Sequence, residues 1–221
     1  MDIEPIVRII AIYALPVLFA ITLHEAAHGY VARHFGDMTA YAQGRISLNP
    51  ARHIDLVGTI LVPIAILVLS KFAGGAGLLF GWAKPVPVNY SALRRPRQNM
   101  LWVAAAGPGA NLAMACIWAA FYKSTDLLPI NYFTEPMLLM SKAGMEVNVV
   151  LMLLNLLPIL PLDGGRIVAS LLPNRIAWGY AKLEPWGFPI LLLLLFTSVL
   201  GIILAPMVNF SFHILGTVFR I

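Results

Sequence analysis

Long apolar runs separated by short polar ones dominate the chain. The first extends from Ile6 to about Val31, is interrupted by Arg8 and Pro16, and ends in Arg33, His34, Gly36 and Asp37. At roughly 1.5 Å per residue it is long enough to cross a hydrocarbon core of about 30 Å. Pro16 is expected to kink this helix ahead of His24 and open space beside it, and Gly36 to stop it. Residues 39–53 are more polar, and Gly44 to Asn49 alternates in character like a short interfacial strand that Asn49-Pro50 ends. A second run over residues 54–71 carries Pro63, and the glycine-rich stretch 72–80 is too short to span as a helix, which suits a re-entrant segment. Residues 83–89 must be extended, because Pro85 and Pro87 remove donors and push the residues before them out of the helical region.

Further runs cover residues 99–122, 143–172 with a break at 158–164, and 187–205. The last stretch, Pro206 to Phe219, carries Asn209 and His213 and reads as interfacial or packed on the bundle. The pattern predicts an all-α polytopic membrane protein of about five or six transmembrane helices with a short interfacial or re-entrant β element. Residues 1–221 form one membrane-embedded domain in this reading.

Composition agrees: 60% of the 221 residues are hydrophobic and 11% charged, where soluble domains carry roughly 25% charged residues. Mean hydropathy is +0.83. The net charge of +5 does not point to nucleic acid, since the basic residues gather at the ends of apolar runs, where lipid headgroups select them. Arg94, Arg95, Arg97, Arg175, Lys182 and Arg220 are read as such anchors. The first run lacks the small-residue cleavage site of a secretory signal and is expected to be retained. Cys116 is the only cysteine, which excludes an intrachain disulfide. Counting Lys and Arg places residues 81–98 and 166–182 in the cytoplasm. Residues 54–80 are expected to form an out-and-back hairpin that returns the extended segment to the side of residues 44–48, the alternative being a single crossing at 54–71 that puts the two stretches on opposite faces.

Against that background, ionisable groups inside apolar runs need a reason. His24-Glu25-Ala26-Ala27-His28 puts two imidazoles on one helical face, where they can share a metal ion, with Glu25 beside them. The spacing is that of zinc metalloproteases, in which the Glu takes a proton from metal-activated water. Asp163 stands in Pro158-Ile159-Leu160-Pro161-Leu162-Asp163-Gly164-Gly165, where two prolines break the helix and two glycines loosen the backbone beyond it. A carboxylate there suits a third ligand, and the structural alternatives are a helix cap or a pair with Arg166. Asn111, in Ala106-Gly107-Pro108-Gly109-Ala110-Asn111, is either interhelical glue or an active-site contact. The extended segment 83–89, with Val86 and Val88, is either a clamp to which a peptide adds as a strand or a plain edge strand or loop. His34, His53 and His213 have no partner at helical spacing and are not assigned to metal.

Taken together, the H-E-x-x-H pentad and the later Asn155-Leu156-Leu157-Pro158-Ile159-Leu160-Pro161-Leu162-Asp163-Gly164-Gly165 resemble the site-2 proteases, the intramembrane zinc metalloproteases. Ala106-Gly107-Pro108 with Asn111, Asn49-Pro50 and Gly81 to Val88 are similar to the small prokaryotic branch without PDZ or CBS domain. No motif position departs from the pattern. The resemblance implies one Zn2+ per chain held by His24, His28 and Asp163, with Glu25 as general base and acid. It also implies that Asn155 holds substrate or the developing oxyanion. The partners it implies are a transmembrane protein substrate and the lipid bilayer of a prokaryotic cell, in an inner-membrane, multi-pass setting. Oligomeric state is not readable. Two other classes stay open, a membrane metal-ion transporter and a non-proteolytic assembly protein. Transport would leave Glu25 unexplained, and assembly would leave all four residues so.

Overall fold

The computed structural model describes residues 4–62, 65, 84–127, 129 and 131–221. Helix α1 (Glu4–His34) is followed by the single turn α2 (Thr39–Ala42). After it come α3 (Pro96–Ser124), α4 (Thr134–Asn155), α5 (Asp163–Leu171), α6 (Asn174–Ala181), α7 (Glu184–Phe196) and α8 (Val199–Phe219). Four of these, α1, α3, α4 and α8, are long and apolar enough to cross a membrane, and α7 is a shorter apolar helix. The chain is an all-α, multi-pass membrane protein.

Helices α1, α3 and α4 pack against one another, α5 lies on α3, and α8 leans on α4 and α7. Ala115, Trp118 and Ala119 of α3 meet Met145, Val149 and Leu153 of α4 and Leu215 of α8. Small residues let the backbones approach, as they do where lipid removes the hydrophobic drive for association. The outer faces carry exposed Val7, Ile9, Ile10, Ile202 and Phe210, the surface expected against hydrocarbon.

Several boundaries differ from the sequence reading for identifiable reasons. Helix α4 starts at Thr134 rather than residue 143, taking in Glu135 and Lys142. Glu146 is accommodated by a 3.0 Å bond from the Tyr13 hydroxyl of α1, and Arg8 of α1 reaches Glu135 at 2.8 Å. Helix α3 runs through Pro108 without a break. The run read as 187–205 is divided at Thr197 and Ser198. There Thr197 Oγ1 donates back to Leu193 O at 2.7 Å, and Ser198 turns to φ 61°. The residues after that turn as far as Phe219, including 206–219, belong to the long α8.

No strand forms among the described residues, so the short β element at 44–49 and 83–89 is not present as a ladder. The physical reason is local: Pro85 and Pro87 have no N–H, and side chains take the backbone groups a ladder would use. Arg45 donates to Lys84 O and Pro85 O at 2.9 and 3.2 Å. Among the described residues one backbone bond reaches this segment from that side, from Lys84 N–H to His53 O at 2.9 Å, beyond residues 44–49. The two stretches nevertheless lie side by side through the Arg45 bonds; the expected hairpin over residues 54–80 lies largely outside the described residues. The re-entrant expectation for 72–80 lies outside the described residues. So does the later part of the second run, whose earlier part holds a π-helical stretch, Leu56–Leu61, capped by Asp55.

Arg97 is not a free headgroup anchor. Its guanidinium donates to the carbonyls of Ser170 at 2.8 Å, Leu171 at 3.1 Å and Leu172, and to Asn174 Oδ1 at 3.1 Å. It therefore caps the carboxyl end of α5 from the first turn of α3, satisfying carbonyls that the helix leaves open.

Candidate metal centre

One turn of α1 stacks His24 above His28, with ring centroids 4.7 Å apart and planes at 83°. Their Nε2 atoms approach to 3.1 Å. Asp163, the first residue of α5, brings Oδ2 to 3.2 Å from His24 Nε2 and 3.3 Å from His28 Nε2. All three residues are buried, and one ligand atom from each lies within 4.8 Å of the others. Among the described residues no other such group converges: His53 is buried with its ring on Ser47 O at 2.8 Å, while His34 and His213 are exposed.

The far side of each ring decides what faces the centre. His28 Nδ1 lies 2.7 Å from Val103 O; a carbonyl only accepts, so Nδ1 carries a proton and, in the neutral ring, Nε2 is the lone pair. His24 Nδ1 lies 2.6 Å from Asn111 Oδ1. Asn111 Nδ2 points away, toward Ala20 O at 3.3 Å, which makes the oxygen the atom facing the ring and gives His24 the same tautomer. With both imidazoles neutral, as metal ligands must be, two nitrogen lone pairs and a carboxylate oxygen thus face one centre. Asp163 Oδ2 is buried and receives no hydrogen bond. Like-sign acceptors at such distances repel unless a cation lies among them, and a two-nitrogen, one-oxygen set is what zinc accepts at an open catalytic site. The residues present fit that metal.

Close approach of three helices makes this possible. A Cβ on Gly107 of α3 would lie 2.6 Å from His24 Nε2 and closer still to His28 Nε2, so only glycine lets α3 back the two rings. At α5, the expectation that Gly164 and Gly165 loosen the backbone is corrected: both are buried and helical. A Cβ on Gly165 would come within 2.5 Å of Leu160 N. These glycines let the start of α5, and Asp163 with it, press into the loop after α4.

Glu25 is half-buried and lines the same cleft, of about 580 Å³, with His24, His28, Asp163, Val86, Val88 and Asn155. Its Oε2 accepts the Val86 N–H at 2.7 Å. The segment 84–89 is further tied to α1 where Asn89 N–H meets Asp37 Oδ2 at 2.6 Å. Asn155, the last residue of α4, spends one amide hydrogen on Leu151 O at 3.0 Å and keeps the other. Asn111 is the sequence-singled residue that does not reach the cleft: it is fully buried behind His24. Sequence reading missed the Val103 carbonyl, which no residue type announces, and Arg166, which lines the cleft three residues after Asp163. It also passed over Asn148, although a second asparagine in an apolar run was a usable signal.

The chain is 37% identical over 203 residues to a Bacillus subtilis (strain 168) protein named "Putative zinc metalloprotease YwhC", covering 88% of this chain and 84% of that one. It is 28% identical over 190 residues to "Putative zinc metalloprotease Rip2" of Mycolicibacterium smegmatis, covering 83% of this chain and 66% of that one. The protein of the same name in Mycobacterium tuberculosis (strain H37Rv) is 30% identical over 172 residues, 76% of this chain and 54% of that one. No family model matches the chain, and no solved structure does. With this identity along most of both chains, and with the pentad of α1 meeting Asp163 in a membrane bundle, the chain belongs to the site-2 protease family of zinc metalloproteases.

Proposed function

We propose that this chain is an intramembrane zinc endopeptidase that hydrolyses a peptide bond in or near a transmembrane segment of a membrane protein. Residues 1–221 act as one membrane-embedded domain in a prokaryotic cell membrane, with one zinc per chain. The observation that carries the reading is the convergence of three potential ligand atoms from His24, His28 and Asp163, within 4.8 Å of one another, on a cleft that Glu25 also lines.

His24, His28 and Asp163 would hold the metal. Zinc bound there would supply Lewis acidity, bringing water toward ionisation near neutral pH and polarising a peptide carbonyl. Glu25 takes the proton of the attacking water and hands it to the amine as the C–N bond breaks. The Val86 N–H holds Glu25 Oε2, which leaves Oε1 for that proton. The uncommitted amide hydrogen of Asn155 is available to the substrate carbonyl oxygen as charge develops there.

A helical substrate must unwind before any of this, because its carbonyls are held by its own hydrogen bonds. The segment 84–89 offers replacements. Val86 N–H is committed to Glu25, whereas no described residue accepts the Val88 N–H. Val88 is therefore the donor for an added strand. Val88→Pro is expected to lower kcat/KM about 2- to 10-fold, the worth of one backbone bond, with zinc content unchanged. Unaltered cleavage would remove the strand from the reading. For the reading as a whole, His24→Ala should abolish both stoichiometric zinc and cleavage of a reconstituted membrane-spanning substrate; cleavage without zinc would refute it.

A further inference from the structure

Two asparagines, one on α3 and one on α4, are wholly withdrawn from the surface: Asn111 and Asn148 are each 0% exposed. Inside a membrane bundle every polar atom of such amides needs a partner, and the partners here form a chain of defined direction. It begins at Gly144 O, which can only accept. Asn148 Nδ2 donates to that carbonyl at 2.8 Å, so Asn148 Oδ1 faces Asn111. Asn111 Nδ2 donates to Asn148 Oδ1 at 3.0 Å, with a longer 3.3 Å contact to Ala20 O. Asn111 Oδ1 is left for His24 Nδ1 at 2.6 Å.

An amide can rotate by half a turn at little steric expense, and the two orientations of Asn111 have opposite consequences. With its oxygen toward the ring, His24 keeps the proton on Nδ1 and its Nε2 lone pair points at Asp163. With its NH2 toward the ring, Nδ1 must accept, the proton moves to Nε2, and a hydrogen lies where a metal belongs. The Ala20 carbonyl biases this choice weakly through the longer contact. The shorter bond to Asn148 Oδ1 biases it more strongly, and Asn148 is itself anchored by Gly144.

We propose that Asn148 is a positioning residue for the metal centre, acting through Asn111 to hold His24 in the tautomer that leaves Nε2 free. The proposal rests on reading His24 as a zinc ligand. It differs from interhelical glue in where its effect appears. Glue would lower the stability of the zinc-free protein; this chain sets the affinity of one ligand set. Outer-shell partners of ligating histidines typically contribute about 10- to 100-fold in metal affinity.

The test uses the full chain in detergent micelles and measures zinc affinity by competition with a chromophoric chelator. Thermal unfolding of the zinc-free protein is followed alongside, together with the histidine ring nitrogen signals of 15N-labelled zinc-free protein. Asn148→Leu is expected to weaken zinc about 10- to 100-fold and to convert part of the His24 signal from the Nδ1–H to the Nε2–H form. Asn148→Asp, protonated at that buried position, keeps an acceptor for Asn111 and a donor for Gly144 O, and is expected to bind zinc nearly as the unaltered chain does. Asn148→Leu with unchanged zinc affinity and an unchanged tautomer overturns the proposal, whatever its melting temperature. If Asn148→Leu does not fold, Asn148→Ser, too short to reach Asn111, is held to the same two readouts. Unaltered protein that binds no zinc counts against the ligand assignment instead, and the tautomer signals of the zinc-free chain still decide the role of Asn148.

Discussion

Helices α3 and α8 look alike on paper. Each is long and apolar, each has a proline inside it, Pro108 or Pro206, and each carries an asparagine and glycines. Only α3 serves the centre. Its Asn111 is fully buried against His24 and its Gly107 backs both ligand rings, whereas Asn209 and His213 of α8 are exposed and a Cβ on Gly201 would meet nothing within 4 Å. The difference lies in neighbours: α3 is embraced by α1, α4 and α5, and α8 touches the bundle along one side. Polar and small residues in a membrane helix acquire chemistry from the helix they face, and periodicity alone does not say which helix that is.

That contrast can be broken deliberately. The largest effect is expected at Gly107→Ala, whose Cβ would lie 2.6 Å from His24 Nε2. Overpacking of about 1–3 kcal/mol, applied to the ligand atoms themselves, should appear as a loss of about 10- to 100-fold in zinc affinity, read by chelator competition. Gly109→Ala, two residues away with open space around it, should leave affinity unchanged. Equal losses at both glycines would mean that general helix packing, rather than the ligand contact, is being measured.

A smaller effect is expected at Arg97→Gln. It removes the charged cap on α5, the helix that carries Asp163. A charge-assisted bond set of this kind is worth about 1.5–3 kcal/mol when well buried. Since part of it is exposed, the lower end applies, a drop of roughly 3–6 °C in Tm for a chain of this size. A calorimetric scan checks it, and an unchanged Tm would show that α5 does not depend on the cap.

Smallest of all should be Asn209→Leu and His213→Ala on α8, within about 0.5 kcal/mol of the unaltered protein and with full zinc content by elemental analysis. Loss of zinc in either variant would dissolve the distinction between the two helices.

The same contrast explains what the sequence disclosed. His24, Glu25, His28 and Asp163 stood out because ionisable groups are rare in apolar runs and because their spacing implied a helix and a break. Gly36 as the stop of α1 was also legible, and the backbone turns there at φ +104°. Features that depend on a distant partner were not legible. Arg97 looked like a headgroup anchor until the end of α5 was placed beside it. The polar character of the residues before 143 hid the early start of α4, where Glu135 is met by Arg8 of α1. The glycines after Asp163 read as looseness, yet they are points of contact. Helix α8 was undervalued because Asn209 and His213 suggested an interfacial segment, when the rest of the run is apolar enough to span.

The central claim is that a zinc-activated water needs the carboxylate of Glu25 and that the metal does not. The direct measurement compares unaltered protein and Glu25→Gln, each reconstituted in liposomes with a membrane-spanning substrate, with bound zinc determined on the same samples. Glu25→Gln should retain zinc and lose about 10²- to 10⁴-fold in cleavage rate. Zinc-loaded Glu25→Gln that cleaves at the unaltered rate would contradict the account.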